Sequence, residues 1–198
     1  AVTSATGGTA SYTYTVFGDL ATLTDANGTR TTLTYDDRGL PASVDSPDSG
    51  RRTSEYNAFG ELVTQRDAAS PANVIRLGYD QLGRLVQRDD AGQGTTTWEY
   101  NGVAGPQLGL PSRVTGPLGA SPAGFTEQYT YDGLGRRTGV ATTIDGATYA
   151  TGYGWDALGR VTSMVYPSTV NGARLYLAFR YEAGHLAAVD QDPTAGGG

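Results

Sequence analysis

The sequence predicts an all-β protein: a spiralling antiparallel β-sheet of tandem hairpin repeats, solenoid- or shell-like, with essentially no helix. Three observations carry this. A motif of an aromatic residue, a small polar residue, two variable residues and Gly recurs eight times along the chain. An apolar side chain stands two residues ahead of the aromatic in seven of the eight copies, as on a half-buried strand. No stretch of 10–12 residues repeats its apolar positions at the helical spacing.

The regular copies pair Tyr14 with Gly18, Tyr35 with Gly39, Tyr56 with Gly60, Tyr79 with Gly83, Tyr131 with Gly135 and Trp155 with Gly159. Two copies are irregular: Tyr100 reaches Gly109 only after an insertion, and Tyr181 reaches Gly184 one residue early. An apolar residue two before the aromatic (Tyr12, Leu33, Leu77, Trp98, Tyr129, Tyr153, Phe179) puts both side chains on one face of a strand, and Ser54 is the exception. Thr, Val, Tyr and Trp, which suit a pleated surface, crowd these segments.

Each aromatic is followed by a turn. Asp36, Asn57, Asp80, Asn101, Asp132 and Asp156 can accept hydrogen bonds from backbone N–H groups two residues on, and the next Gly supplies positive φ. A second, variable turn separates successive units at residues 25–28, 45–50, 89–92, 144–146 and 170–172. Pro47, Pro71, Pro117, Pro122 and Pro167 are expected there. Pro41 and Pro111 fall near a strand start, where a missing N–H is tolerated. The domain reading is a flexible lead-in at 1–10, about eight repeats over 11–192 and a Gly-rich tail at 193–198. The start Ala1-Val2-Thr3, without Met or a leader, predicts a chain processed or excised from something longer.

Composition narrows the function classes. The chain has 198 residues, 29 Gly, 9 Pro, no Cys and a net charge of −6, and every basic residue is Arg. The acidic balance lacks the footprint of a nucleic-acid binder, and no apolar run is long enough for membrane insertion by a helix. Without Cys there is no thiolate chemistry, and the one His, His185, takes the slot after the last turn glycine, as a surface residue. Asp36-Asp37 and Asp89-Asp90 read as turn caps, no segment has calcium-loop spacing, and Asn27-Gly28-Thr29 reads as a turn. The expectation is no enzyme, no catalytic residue, no cofactor and no metal. The Gly-plus-one slot holds Asp19, Glu61, Arg84, Arg136 and Arg160 among others, so rows of acid and Arg on adjacent strands are able to pair, each exposed pair worth only about 0–1 kcal/mol.

Tyr79-Asp80-Gln81-Leu82-Gly83-Arg84-Leu85 and Trp155-Asp156-Ala157-Leu158-Gly159-Arg160-Val161 resemble the YD repeat of the RHS family, over roughly residues 11–190. That family includes bacterial polymorphic toxins, the B and C components of insecticidal toxin complexes, wall-associated proteins and animal teneurins. The resemblance implies a secreted, extracellular or cell-surface location and a spiralling β-shell around a toxin or plug. In toxin members a core at the shell's end cleaves itself through an aspartate. Its long run of Tyr, Gly, Arg and Phe before Asp-Pro is not present here, and Asp192-Pro193 is an isolated dipeptide, so autoproteolysis is not carried over.

Two readings follow. One is a non-enzymatic segment of a shell that encapsulates or presents a toxin or adhesin. Its alternative is an extracellular glycan- or protein-binding repeat module, assembling edge to edge into a fibre. Expected partners are neighbouring repeats of a longer parent chain, further copies bound through open sheet edges, and an enclosed toxin cargo. Sixteen strands ~4.8 Å apart give a contour of roughly 77 Å, which closes into a ring only about 25 Å across. A 100-residue cargo is roughly 34 Å across, so this chain alone cannot surround one.

Overall fold

The computed structural model describes residues 2–3, 9–68, 73–102, 105–118, 121–169 and 172–191. The described residues hold strands and turns and no helix. The chain divides into two compact units, Ala1–Thr95 and Thr96–Gly198.

The first unit runs through β1 (Val2–Thr3), β2 (Thr9–Tyr14), β3 (Leu20–Thr24), β4 (Arg30–Tyr35), β5 (Pro41–Ser46), β6 (Gly50–Tyr56), β7 (Leu62–Arg66), β8 (Val74–Tyr79) and β9 (Leu85–Asp90). Each strand pairs antiparallel with the one before it. Strand β10 (Gly94–Tyr100) contains the boundary between the units. The second unit continues with β11 (Pro111–Leu118), β12 (Ser121–Tyr131), β13 (Arg137–Ile144), β14 (Ala147–Trp155), β15 (Val161–Val165), β16 (Tyr176–Glu182) and β17 (His185–Gln191). From β10 onward, pairing is again antiparallel between consecutive strands.

Part of the expected lead-in is strand, since Val2 pairs with Ala10 and Thr3 with Thr9. The 193–198 tail and Asp192-Pro193 lie outside the described residues. The prolines need one correction. Pro117 is in β11 and Pro122 is in β12, so these strands run further than the turn chemistry suggests. A register shift between Gly116 and Leu118 accommodates Pro117, because a bulge relieves the need for its missing N–H. Pro71 lies outside the described residues.

Every repeat carries a bulge that the sequence does not announce. In the first, Thr13 faces Thr22 but Tyr14 faces Leu20, which leaves Ala21 unpaired in the count. The same shift places each anchor aromatic opposite the residue two after its turn glycine: Tyr35 with Pro41, Tyr56 with Leu62, Tyr79 with Leu85, Tyr131 with Arg137 and Trp155 with Val161. The irregular copies obey it too, with Tyr100 opposite Pro111 and Tyr181 opposite Leu186.

The sheet has little deep core. In the first unit the most buried side chains are Val74 at 6%, Thr22 and Ser43; in the second it is Val114. The buried hydroxyls are satisfied across the strand pair, Thr13 with Thr22 and Thr34 with Ser43, each at 2.7 Å.

Candidate functional site: the joint between repeats

The turn glycines come first, because they set the loop. All eight, from Gly18 to Gly184, have φ between 74° and 91°. An L side chain is strained there, so Gly is required by backbone conformation. The Asp or Asn after the aromatic then organises the loop. In the fourth repeat the N–H groups of Leu82 and Arg84 donate to Asp80 Oδ1 at 2.9 and 3.0 Å. Asp36, Asn57, Asp132 and Asp156 do the same in their loops. The expected bond two residues on is therefore joined by one four residues on. In the first repeat Thr15 Oγ1 replaces the carboxylate. The Tyr100 loop keeps the same frame around its insertion, since Asn101 N–H donates to Leu110 O at 2.8 Å and Gly109 N–H to Asn101 O at 2.9 Å. The last loop is a two-residue turn instead, with Ala183 and Gly184 both at positive φ.

The Gly-plus-one arginines pair with the acid of their own loop. Each turns back into its own loop: Arg84 Nε donates to Asp80 Oδ2 at 2.7 Å, Arg136 Nε to Asp132 at 2.6 Å and Arg160 Nε to Asp156 at 2.7 Å. The two residues are four apart on one tight loop, which brings them together at less entropic cost than a partner on another strand. The third repeat uses the opposite polarity, with Asn57 Nδ2 donating to Glu61 Oε2 at 2.6 Å. Adjacent-strand pairs do form elsewhere, at Arg76–Asp89 and Arg180–Asp190.

The carboxyls of Asp36, Asp80, Asp132 and Asp156 are all held below the usual carboxylate range. For Asp36 and Asp156 the leading cause is a backbone N–H, from Leu40 and Arg160 respectively. For Asp80 it is the Arg84 guanidinium. At Asp132 burial pushes upward, and the Arg136 N–H and guanidinium outweigh it.

The anchor aromatics join one repeat to the next. The hydroxyls of Tyr35, Tyr56, Tyr79, Tyr131 and Tyr181 donate to the carbonyls of Leu20, Pro41, Leu62, Pro111 and Val161, between 2.7 and 3.0 Å. Trp155 Nε1 donates to Arg137 O at 2.8 Å. Every acceptor is the residue two after the preceding turn glycine, the one that faces the previous anchor. Between hairpins the strand pairing stops short of it: the β3–β4 ladder ends at Thr22–Thr32 and the β7–β8 ladder at Thr64–Arg76. The splayed carbonyl has no strand partner on that side, and the ring of the next repeat supplies one. Pro41 and Pro111 thus serve as acceptors, a role for which a missing N–H is irrelevant.

Arginine reinforces the joint in the second unit. Arg136 lies 5.7 Å from the Trp155 ring centre and Arg160 4.5 Å from that of Tyr181, so the Arg of one repeat covers the anchor of the next. Arg136 Nη1 also donates to Asp156 O at 2.6 Å.

The anchor rings are half-buried, except that of Tyr14, which is 62% exposed. Sequence reasoning missed the donor role. The available signal was that all eight anchors are Tyr or Trp, each bearing a polar hydrogen, and never Phe. It also missed the residue before the turn glycine, counted as variable. Phe17, Phe59, Leu82, Leu108, Leu134 and Leu158 are exposed apolar tips there. His185 is exposed at the start of β17, and among the described residues no group of His, Asp and Glu could hold a metal ion.

Residues 16–51, which contain the first two turn loops and the joint from Tyr35 to Leu20, match the family model for the RHS Repeat. That stretch is similar to an RHS repeat. No curated protein matches it. Among solved structures, a TcdB2-TccC3-TEV crystal structure is 15% identical with a TM-score of 0.48, over 88% of this chain and 13% of that one. A Photorhabdus luminescens Tc holotoxin pore with a TccC3 mutation is 14% identical with a TM-score of 0.47, over 89% of this chain and 14% of that one. The chain thus spans about one seventh of the length of these structures. Across the chain the joint recurs as a ring, a loop polar residue (Asp, Asn or, in the first repeat, Thr15), a turn glycine and the carbonyl two residues beyond.

Proposed function

We propose that this RHS-repeat chain is a non-enzymatic structural segment of a YD-repeat β-shell that encapsulates or presents a toxin or adhesin outside the producing cell. The observation that supports this reading best is the joint itself. The repeated polar chemistry is spent within the sheet: ring hydrogens on the previous repeat's carbonyl, loop carboxylates on their own N–H groups and arginines. Little of it converges as an acid–base or nucleophilic constellation would. A hairpin is marginal alone, and such joints make each repeat a template for its neighbour. The contour arithmetic above makes the natural partners further RHS repeats of a parent chain, or copies added through sheet edges.

The test is a protease-protection assay on the parent polypeptide, with a small reporter domain fused after the repeats. The reading expects the reporter to resist protease until the repeats unfold. A reporter digested at the same rate with and without the repeats would refute encapsulation, and measurable hydrolase turnover by the isolated chain would refute a purely structural role.

A further inference from the structure

The repeats of the first unit are not equivalent. In two of them the turn glycine stands between Phe and an acid, as Phe17-Gly18-Asp19 and Phe59-Gly60-Glu61. Arg38-Gly39-Leu40 and Leu82-Gly83-Arg84 alternate with these. The Phe17 and Phe59 rings are 90% and 89% exposed, far beyond what a ring used for packing would be. Neither Asp19 nor Glu61 has an arginine partner among the described residues, whereas Arg38 is engaged by Asp36 at 2.9 Å and Arg84 by Asp80 at 2.6 Å.

Each Phe-acid loop forms one wall of a cleft. The first, about 710 Å³, opens between the loops of repeats one and two and is lined by Phe17, Asp19, Leu33, Tyr35 and Asp37, with the paired Asp36 and Arg38. The second, about 500 Å³, opens between the loops of repeats three and four and is lined by Phe59, Glu61, Leu77, Tyr79, Asp80 and Gln81. Position for position these are the same site. Both sit where the inter-hairpin ladder ends early and the strands splay, at Thr22–Thr32 and Thr64–Arg76.

An exposed phenyl face beside a carboxylate that no arginine neutralises, Glu61 accepting only the neutral Asn57 amide, is chemistry for a flat cation. A guanidinium stacks on the ring and pairs with the acid, and gains from both at once. A neutral sugar can donate hydroxyls to the carboxylate but brings no opposite charge to it. The two clefts lie four strands apart, roughly 19 Å. An extended peptide rises about 3.4 Å per residue, so about six residues span that distance, and an even number keeps both side chains on one face. We propose that the two clefts together bind an extended basic peptide segment that crosses the strands along the loop row, seating arginines six residues apart against Phe17–Asp19 and Phe59–Glu61.

The test is fluorescence anisotropy with labelled Ser/Thr/Gly peptides bearing two arginines six residues apart, two arginines seven apart, one arginine, or two citrullines. The first should bind, with an affinity that falls on adding salt. The single-arginine peptide should bind about a hundredfold more weakly, since the second contact becomes intramolecular only in the bivalent peptide. Phe59→Ala or Glu61→Gln should reduce the bivalent peptide to single-arginine affinity, as should Phe17→Ala or Asp19→Asn. Leu134→Ala, in the second unit, should leave binding unchanged, and thermal melts of all variants separate lost binding from lost fold. Equal binding of the citrulline or seven-spaced peptide would overturn the proposal. So would no binding by the six-spaced peptide at millimolar concentration, or binding of a soluble oligosaccharide that the same variants abolish.

Discussion

The hydroxyl of Tyr79 donates to the carbonyl oxygen of Leu62 at 2.9 Å, joining two successive repeats across seventeen residues of chain. Leu62 is itself paired with Tyr56, the preceding anchor, so one ring closes its own hairpin and the next ring closes the joint beside it. A net hydrogen bond of this kind contributes about 1 kcal/mol. Tyr35→Phe and Tyr79→Phe should each lower unfolding free energy by about that amount. Tyr14→Phe, at the most exposed anchor, should change it far less. Urea denaturation at neutral pH reads the difference, and equal losses at Tyr79 and Tyr14 would rule out the joint as a stabilising contact.

Gly159 and Gly133 separate conformational strain from crowding. A Cβ at either position meets nothing within 4 Å, but Gly159 has φ +79° while Gly133 is not in the left-handed region. Gly159→Ala should therefore cost about 1–2 kcal/mol, whereas Gly133→Ala should be neutral or slightly stabilising. Gly124 is no neutral comparison, although it lies in a variable segment. Its φ is +58° and a Cβ there would come within 2.6 Å of Gly116 O. Gly119 lies outside the described residues.

The Asn57–Glu61 and Asp80–Arg84 loops are alternative solutions to one geometry. Arg84→Glu alone sets two carboxylates together and should lower the melting temperature. Adding Asp80→Asn converts the loop to the third repeat's pairing and should restore most of that loss. A double variant no better than the single one would show that the loops are not interchangeable.

Acid should weaken the fold through the loop carboxyls. Their folded pKa values are depressed for Asp36, Asp80, Asp132 and Asp156, so the contribution is present above the ordinary value of 3.8. It is lost as pH falls below that value and through the depressed ones. Melting temperature should fall steeply below about pH 4. The Asp80→Asn, Asp132→Asn, Asp156→Asn triple variant should show a shallower fall.

Alkali acts through a different group. Burial, together with the hydrogen bond from its hydroxyl to Glu127, pushes Tyr129 up to about 12, and burial also raises Tyr79 and Tyr131. A raised tyrosine pKa contributes stability that is fully present below pH 10 and lost as pH rises toward 12. Ultraviolet titration should find a late-ionising tyrosine that is absent in Tyr129→Phe, and the variant should lose less stability between these limits.

The parts of this protein legible in its sequence are those decided within a few consecutive residues. Asp80 and Gly83 announce a loop because a carboxylate two and four residues from its donors needs only local backbone conformation, and a positive φ needs only Gly. Strand alternation around Leu77 and Tyr79 is legible for the same reason. The tertiary structure decided the rest. Whether Arg84 turns to its own Asp80 or to a neighbouring strand depends on competing distances that spacing alone does not rank. The bulge opposite each anchor, the short inter-hairpin ladder, the bond from Tyr79 to Leu62 and the clefts beside Phe17 and Phe59 depend on how two hairpins diverge at their loop ends. That divergence is settled by pairing between residues far apart in the chain, where each strand's register is set jointly with its neighbour's.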